Sequence, residues 1–118
     1  MQLSGSEQSQ LAKGPTNNPE AYQLYLKGLF SWNQLTEEGF TSAIQYLNQA
    51  LDKDPNFALA YVGLANTYIM LGTDSRAPKE AMPEARRNAE RALKLNATLP
   101  EAHAALGIIM LVYDWDWK

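Results

Sequence analysis

The sequence predicts an all-α fold built of helical hairpins stacked in a short solenoid of about two and a half repeats. Three observations carry this. Helix-start signals recur at Asn18-Pro19-Glu20, at Asp54-Pro55-Asn56 and from Thr98 to Glu101. Each precedes a stretch whose apolar residues fall at spacings of three and four, the period of a helix with one buried face. The second helices also superpose on one another, since Ala43, Leu47, Ala50 and Leu51 map onto Ala85, Ala89, Ala92 and Leu93 with a constant shift of 42. No stretch alternates with period two for long enough to read as a strand.

Taken in order, residues 1–17 are rich in Ser, Gln and Gly. Ser4 and Glu7 have capping-box spacing, which predicts a short helix over about 5–13, ended by Gly14-Pro15. Asn18 as N-cap, Pro19 in the first turn and the dipole-matched Glu20 open a helix at 19–33. Thr36 caps the next, at 37–53. Asp54-Pro55-Asn56 precedes a third at 57–71, with Gly72 as its C-cap. A fourth runs over 79–95, with Pro83 placed in or before its first full turn, because an interior proline costs about 3 kcal/mol. Thr98, in capping-box form with Pro100 in the first turn, opens a fifth at 99–113.

The spacings have a physical meaning. Ala50 to Ala65 and Ala92 to Gly107 are both 15 residues, so the connection between hairpins is constant. Gly28 to Ala43 is 15 residues but Ala65 to Ala85 is 20, so the length variation is expected in the turn inside the hairpin. Stacked hairpins need this arrangement, because stacking geometry repeats while loops project freely. Gly28, Ala43 and Ala50 mark close helix contacts in the first hairpin, and Ala65, Ala85 and Ala92 in the second. Leu47, Leu51, Phe57, Tyr61, Leu64, Tyr68 and Leu93 fill the space between hairpins.

Composition bounds what such an array does. Apolar residues are 46% and charged residues 19%, with a net charge of −3, so nucleic acid is not an expected partner. The basic residues Arg86, Arg87, Arg91 and Lys94 alternate with Glu84 and Glu90, the pattern of a solvated helix face. The chain has no cysteine, which removes disulfides, thiolate metal sites and thiol nucleophiles and fits a reducing compartment. No signal-peptide core and no apolar run of membrane-spanning length occurs, so a cytoplasmic location without membrane contact is expected. His103 has no second strong ligand near it in sequence and is read as a packed or groove-lining residue rather than a metal ligand. Asp114 and Asp116 are read as helix-capping residues, not as a catalytic carboxylate pair. No phosphate loop or dinucleotide fingerprint is present, so neither catalysis nor a cofactor is expected.

Tyr61, Leu64, Ala65 and Tyr68 on a first helix, Ala85 and Ala92 on a second, and Gly28, Ala43, Ala50 and Asp54-Pro55 in the first repeat resemble the tetratricopeptide repeat family. The resemblance covers about residues 18–118, with repeats at about 18–54 and 55–97 and a half repeat at 98–118. Its hairpin turns look about three and eight residues longer than in the family's 34-residue unit. The second repeat closes on Asn96-Ala97 where the family often has proline. The stretch from Asn18 to Gly28, with Trp32 and Thr36 to Gly39, and the closing Tyr113 to Trp117 look like repeat arrays joined to kinases, nucleotide cyclases or winged-helix regulators in large bacterial signalling proteins.

The resemblance implies a right-handed solenoid whose concave surface, lined by first helices, binds a peptide or helix of a protein partner. The positions carried onto that surface are Tyr22, Tyr25, Leu29 and Trp32, then Val62, Asn66, Ile69 and Met70, then Ala104, Ile108 and Leu111. Some members of the family grip a peptide carboxylate with lysine and asparagine. Of that pattern only Asn66 is present, and Tyr25, Leu29 and Ile108 stand where polar grips would be. An aromatic stripe at helical spacing is more often core than binding site, so any single one of these residues is also readable as packing. A regulatory or oligomerisation segment of a larger bacterial signalling protein is the alternative function. The third hairpin stops at Lys118 where its second helix should begin. A fragment of a longer array, dimerising through the open apolar face of its last helix, is therefore expected.

Overall fold

The computed structural model describes residues 16–74 and 78–111. Among the described residues five helices follow one another: α1 (Pro19–Trp32), α2 (Glu37–Lys53), α3 (Ala58–Asp74), α4 (Pro78–Leu95) and α5 (Pro100–Ile109). No strand occurs among the described residues. Helices α1 and α2 pack as one hairpin and α3 and α4 as a second, while α5 opens a third against both α3 and α4. The fold is an all-α helical repeat.

Local chemistry sets the first boundaries. The Asn18 side chain accepts from the Ala21 amide at 3.0 Å and caps α1, with Pro19 in its first turn. Thr36 does the same for α2 through the Gly39 amide at 2.9 Å. Each satisfies one of the four amides that a helix start leaves without an intrahelical partner. Between these helices Leu35 sits at φ 55°, in the left-handed region, as the α1 carbonyls of Leu29, Ser31 and Trp32 take up the amides of Asn33, Gln34 and Leu35. Thr16 donates to the Asp54 carboxylate, Asn18 Nδ2 donates to the Lys53 carbonyl at 3.2 Å, and Lys53 pairs with Glu20 at 3.3 Å. The chain entering α1 is thereby tied to the C-terminus of α2.

Four expectations at helix boundaries are corrected. Helix α3 does not stop before Gly72 but continues to Asp74. Gly72 is a close-approach residue instead: a Cβ there would lie 2.9 Å from Met82 Cε and 3.1 Å from Ala81 Cβ. Pro83 lies beyond the first turn, because α4 begins at Pro78. With α3 longer and α4 earlier than expected, the extra length of the second repeat goes largely into helix rather than turn. Thr98 does not cap α5. The N-cap is Leu99, without a side-chain bond, and the Thr98 hydroxyl donates to Asn96 Oδ1 at 3.1 Å. An asparagine turn has captured the threonine before the helix could. The helix expected over about 5–13, and the segment Tyr113 to Trp117 with Asp114 and Asp116, lie outside the described residues.

The core follows the expected small-and-large pattern. Ala43, Ala50, Ala65, Ala85, Ala89 and Ala92 are buried, as are Leu47, Phe57 and Leu64, while Leu51, Tyr61, Tyr68 and Leu93 are half-buried against them. Burying the apolar stripe of each helix against its neighbours is the main source of stability, at roughly 25 cal/mol for each Å² removed from water.

Candidate peptide-binding groove

Helices α1 and α3, the first helices of adjacent hairpins, enclose a cleft of about 290 Å³ lined by Leu29, Trp32, Asn33, Leu47, Gly63, Asn66 and Thr67. Three of the expected groove residues, Leu29, Trp32 and Asn66, meet there. They do so because positions 29 and 32 share a face of α1 at three-residue spacing, while Gly63, Asn66 and Thr67 share a face of α3. Leu47 of α2 forms part of the lining from behind, although it is nearly fully buried.

The walls are mainly apolar, and no charged side chain lines them. Polarity comes from the side-chain amides of Asn33 and Asn66. The Thr67 hydroxyl is buried and already donates to the Gly63 carbonyl at 2.7 Å. Trp32 packs its ring against Phe40, centroids 6.1 Å apart, and its buried indole N–H has no hydrogen-bond partner. The arrangement has the size and chemistry to enclose one bulky apolar side chain and to hydrogen-bond the backbone beside it through the two amides. Without a lysine or arginine it has no grip for a peptide carboxylate.

Tyr22 and Tyr25 continue along α1 beside the cleft. Their rings stack at 6.3 Å, and Tyr25 also packs on Phe57 at 5.0 Å. Tyr25 is half-buried, and its phenol is held above the usual value of 10.0 by burial first, then by the charges of Glu101 on α5 and of Tyr22. This electrostatic link brings the first turn of α5 within influence of the α1 face.

Two expected groove residues are core instead. Val62 is 4% exposed, packed with Ala92 and Ala102, and Ile69 is 7% exposed among Met82, Ala85, Ala105 and Ile109. Both face α4 and α5 as Tyr25 and Trp32 face α2 and α3, and being smaller they are enclosed there. Met70 is half-buried against the Phe40, Leu71 and Ala81 cluster. Ala104, Ile108 and Leu111 are exposed on or just past α5 and take no part in lining the cleft. His103, expected to be packed or in the groove, is exposed, with Nε2 2.8 Å from the Ala97 carbonyl oxygen. Sequence reasoning missed Asn33, Gly63 and Thr67. Gly63 and Thr67 were legible as the i−3 and i+1 neighbours of Asn66 on one helical face; Asn33 follows α1 and is positioned by the turn. No group of three or more His, Cys, Asp or Glu residues placed to hold a metal occurs among the described residues.

Residues 35–80 match the sequence model of a tetratricopeptide repeat family, a segment that runs from the end of the α1–α2 turn into α4. The matched segment is a tetratricopeptide repeat. The repeat accounts for the small residues at the helix crossings and for the cleft between successive first helices. The chain is also similar to the transcriptional regulator HilA of Salmonella typhimurium, 29% identical over 99 residues, and equally to that of Salmonella typhi. The match covers 83% of this chain and spans only 18% of those relatives. No solved structure matches it significantly. Among the described residues, no helix is long and apolar enough to cross a membrane.

Proposed function

We propose that this tetratricopeptide segment is a non-catalytic protein-interaction module that takes an extended peptide or a helix of a partner protein across the α1–α3 cleft. The cleft carries the reading: Leu29, Trp32 and Leu47 offer an apolar seat, and the amides of Asn33 and Asn66 sit at its edge. The favoured ligand presents one leucine, methionine or aromatic side chain beside an unpaired backbone segment. A lone carboxylate has no cationic partner there. Tyr22 and Tyr25 extend the surface towards α5, where Ala104 and Ile108 are open to a longer ligand. Repeat modules present extended concave surfaces of this kind to their partners.

The test is selection from a displayed peptide library followed by measurement of Kd. Peptides enriched on the native chain are expected to carry a bulky apolar anchor. They are expected to lose at least about tenfold in affinity on Leu29→Glu, which places a charge in an apolar seat, and less on Asn66→Ala. Helicity should hold in both variants, because neither position is fully buried. Selected peptides that bind both variants unchanged would remove the cleft from consideration.

The similarity to HilA supports a second reading, in which the module is the regulatory or self-association segment of a larger bacterial protein. Ile108, Met110 and Leu111 expose apolar surface at the last described turn, and a Cβ at Gly107 would meet nothing within 4 Å. In the first hairpin the corresponding Gly28 lies against Leu47. The second reading predicts a concentration-dependent mass in light scattering that falls to monomer in Ile108→Lys. The cleft reading predicts no change of mass.

A further inference from the structure

On the second hairpin, sharing no lining residue with the cleft, lies a smaller groove of about 230 Å³. Pro55 from the α2–α3 connection, Tyr61 from α3, and Arg91, Lys94 and Leu95 from the end of α4 line it. The basic run expected as a solvated face divides here. Arg87 pairs with Glu84 on its own helix, whereas Arg91 and Lys94, three residues apart on one face of α4, come to the groove. Among the described residues neither of these two forms an ion pair, not even with Glu90 one turn before Lys94, although Lys53 on α2 pairs with Glu20.

We propose that this groove docks an acidic segment of a partner protein, in which carboxylates flank one apolar side chain. Charge complementarity selects that occupant. Two like charges at three-residue spacing repel, a small cost to α4 by itself that a carboxylate between them removes. The Arg91 guanidinium lies 6.0 Å from the Tyr61 ring centroid, within cation–π reach. The ring holds it at the groove, so less side-chain freedom is lost when a carboxylate arrives. Its planar fork takes that carboxylate through two parallel hydrogen bonds, and the Lys94 ammonium takes a second one as a point charge.

The apolar lining selects the residue between the charges. Leu95 is 41% exposed and Pro55 is exposed, and with the half-buried Tyr61 ring they offer a seat to one leucine-sized side chain. Covering that surface also keeps water from the ion pairs beside it, which strengthens them. A long polyanion fits less well. The chain carries a net charge of −3, so a nucleic acid or an anionic bilayer, which meets much of the surface at once, is repelled outside the groove. A short acidic segment meets only the two cations. Because groove and cleft share no residue, one module can hold an apolar anchor in the cleft and an acidic segment in the groove together.

The experiment titrates N-acetyl-Glu-Glu-Leu-Glu-Glu amide into the whole chain and follows the backbone amides by NMR. Saturable shifts are expected at Asn56, Tyr61 and Arg91 to Leu95. Arg91→Gln combined with Lys94→Gln should weaken Kd about fivefold, the loss of two exposed ion pairs. Lys27→Gln combined with Lys79→Gln removes the same charge outside the groove and should leave Kd unchanged. Helicity should hold in both variants, because all four positions are exposed. Replacing the leucine of the probe by glycine should weaken Kd about threefold, from the apolar area no longer covered. Equal losses in the two variants, an equal Kd for the glycine probe, or no saturable shift at these amides would each overturn the proposal. The other arm is a thymidine pentanucleotide without terminal phosphates, which matches the charge of the probe. Weaker binding than the peptide is expected, and tighter binding at the same amides would assign the groove to a polyanion and overturn the acidic segment.

Discussion

Leu47 holds the two hairpins together, and its replacement by alanine is the sharpest test of how they do so. The side chain is 1% exposed and lies between two glycines, one on each neighbouring first helix. A Cβ at Gly28 would fall 2.9 Å from Leu47 Cγ, and one at Gly63 would fall 3.0 Å from Leu47 Cδ1. Leu47→Ala therefore leaves a void faced by two backbones with no side chains to lean into it. Leu-to-Ala changes in well-packed cores cost about 2.7–5.0 kcal/mol, more where the site cannot collapse. This site belongs to the upper half, about 4 kcal/mol. For a chain of 118 residues that is a fall in Tm of about 15 °C. Urea unfolding followed by circular dichroism at the helical minimum measures it.

The glycines supply an internal control. Gly63→Ala in the native background gains about 1 kcal/mol of helix propensity but drives a methyl into Leu47, an overpacking cost of about 1–3 kcal/mol. In the Leu47→Ala background the methyl enters the void and only the gain remains. The same substitution should thus be neutral or destabilising in one background and stabilising in the other, a coupling of at least about 1 kcal/mol. A Leu47→Ala loss below about 1.5 kcal/mol, or identical effects of Gly63→Ala in both backgrounds, would refute the wedge argument.

Three further outcomes are expected. Asn18→Ala should cost about 1–2 kcal/mol in thermal or urea unfolding and Thr36→Ala about 1 kcal/mol, because Asn18 both caps α1 and bonds the end of α2, whereas Thr36 makes only the cap. Tyr25 should ionise above 10.0 in an ultraviolet phenolate titration, an increment missing in Tyr25→Phe. Between the unfolded and folded pKa values the unfolded chain binds fewer protons, so Tyr25's contribution to stability is complete below 10.0 and is lost as pH rises through the folded value. Ile109→Lys should unfold the α5 contact, since Ile109 is fully buried beside Met82 and Ala105, while Ile108→Lys should leave unfolding unchanged and affect only association. Equal loss of helicity in the two lysine variants would show that α5 is not seated as described.

Much of the fold was legible because its determinants are local. Asn18 and Thr36 cap because a side-chain oxygen reaches an amide three residues on, whatever the rest of the chain does. The repeat of alanines was visible because close helix crossings leave room for nothing larger. Thr98 failed as a cap for an equally local reason, a competing bond to Asn96.

Whether a face lies open depends instead on what the side chain meets across the helix interfaces. Val62 and Ile69 occupy the same register positions on α3 as Tyr25 and Trp32 do on α1 and face α4 and α5 as those face α2 and α3; the smaller Val62 and Ile69 are enclosed there, while the larger rings of Tyr25 and Trp32 stay half-buried. Gly72 resembled a helix end because glycine ends helices; only the Met82 and Ala81 side chains packed against it reveal a close approach within one. The amino-acid sequence thus determined by itself that there would be helices, in hairpins, at a repeating register. The tertiary structure decided that Leu29, Trp32 and Asn66 meet at one cleft while Val62 and Ile69 turn inward, because burial belongs to the assembled neighbours of a residue and not to its place in the chain.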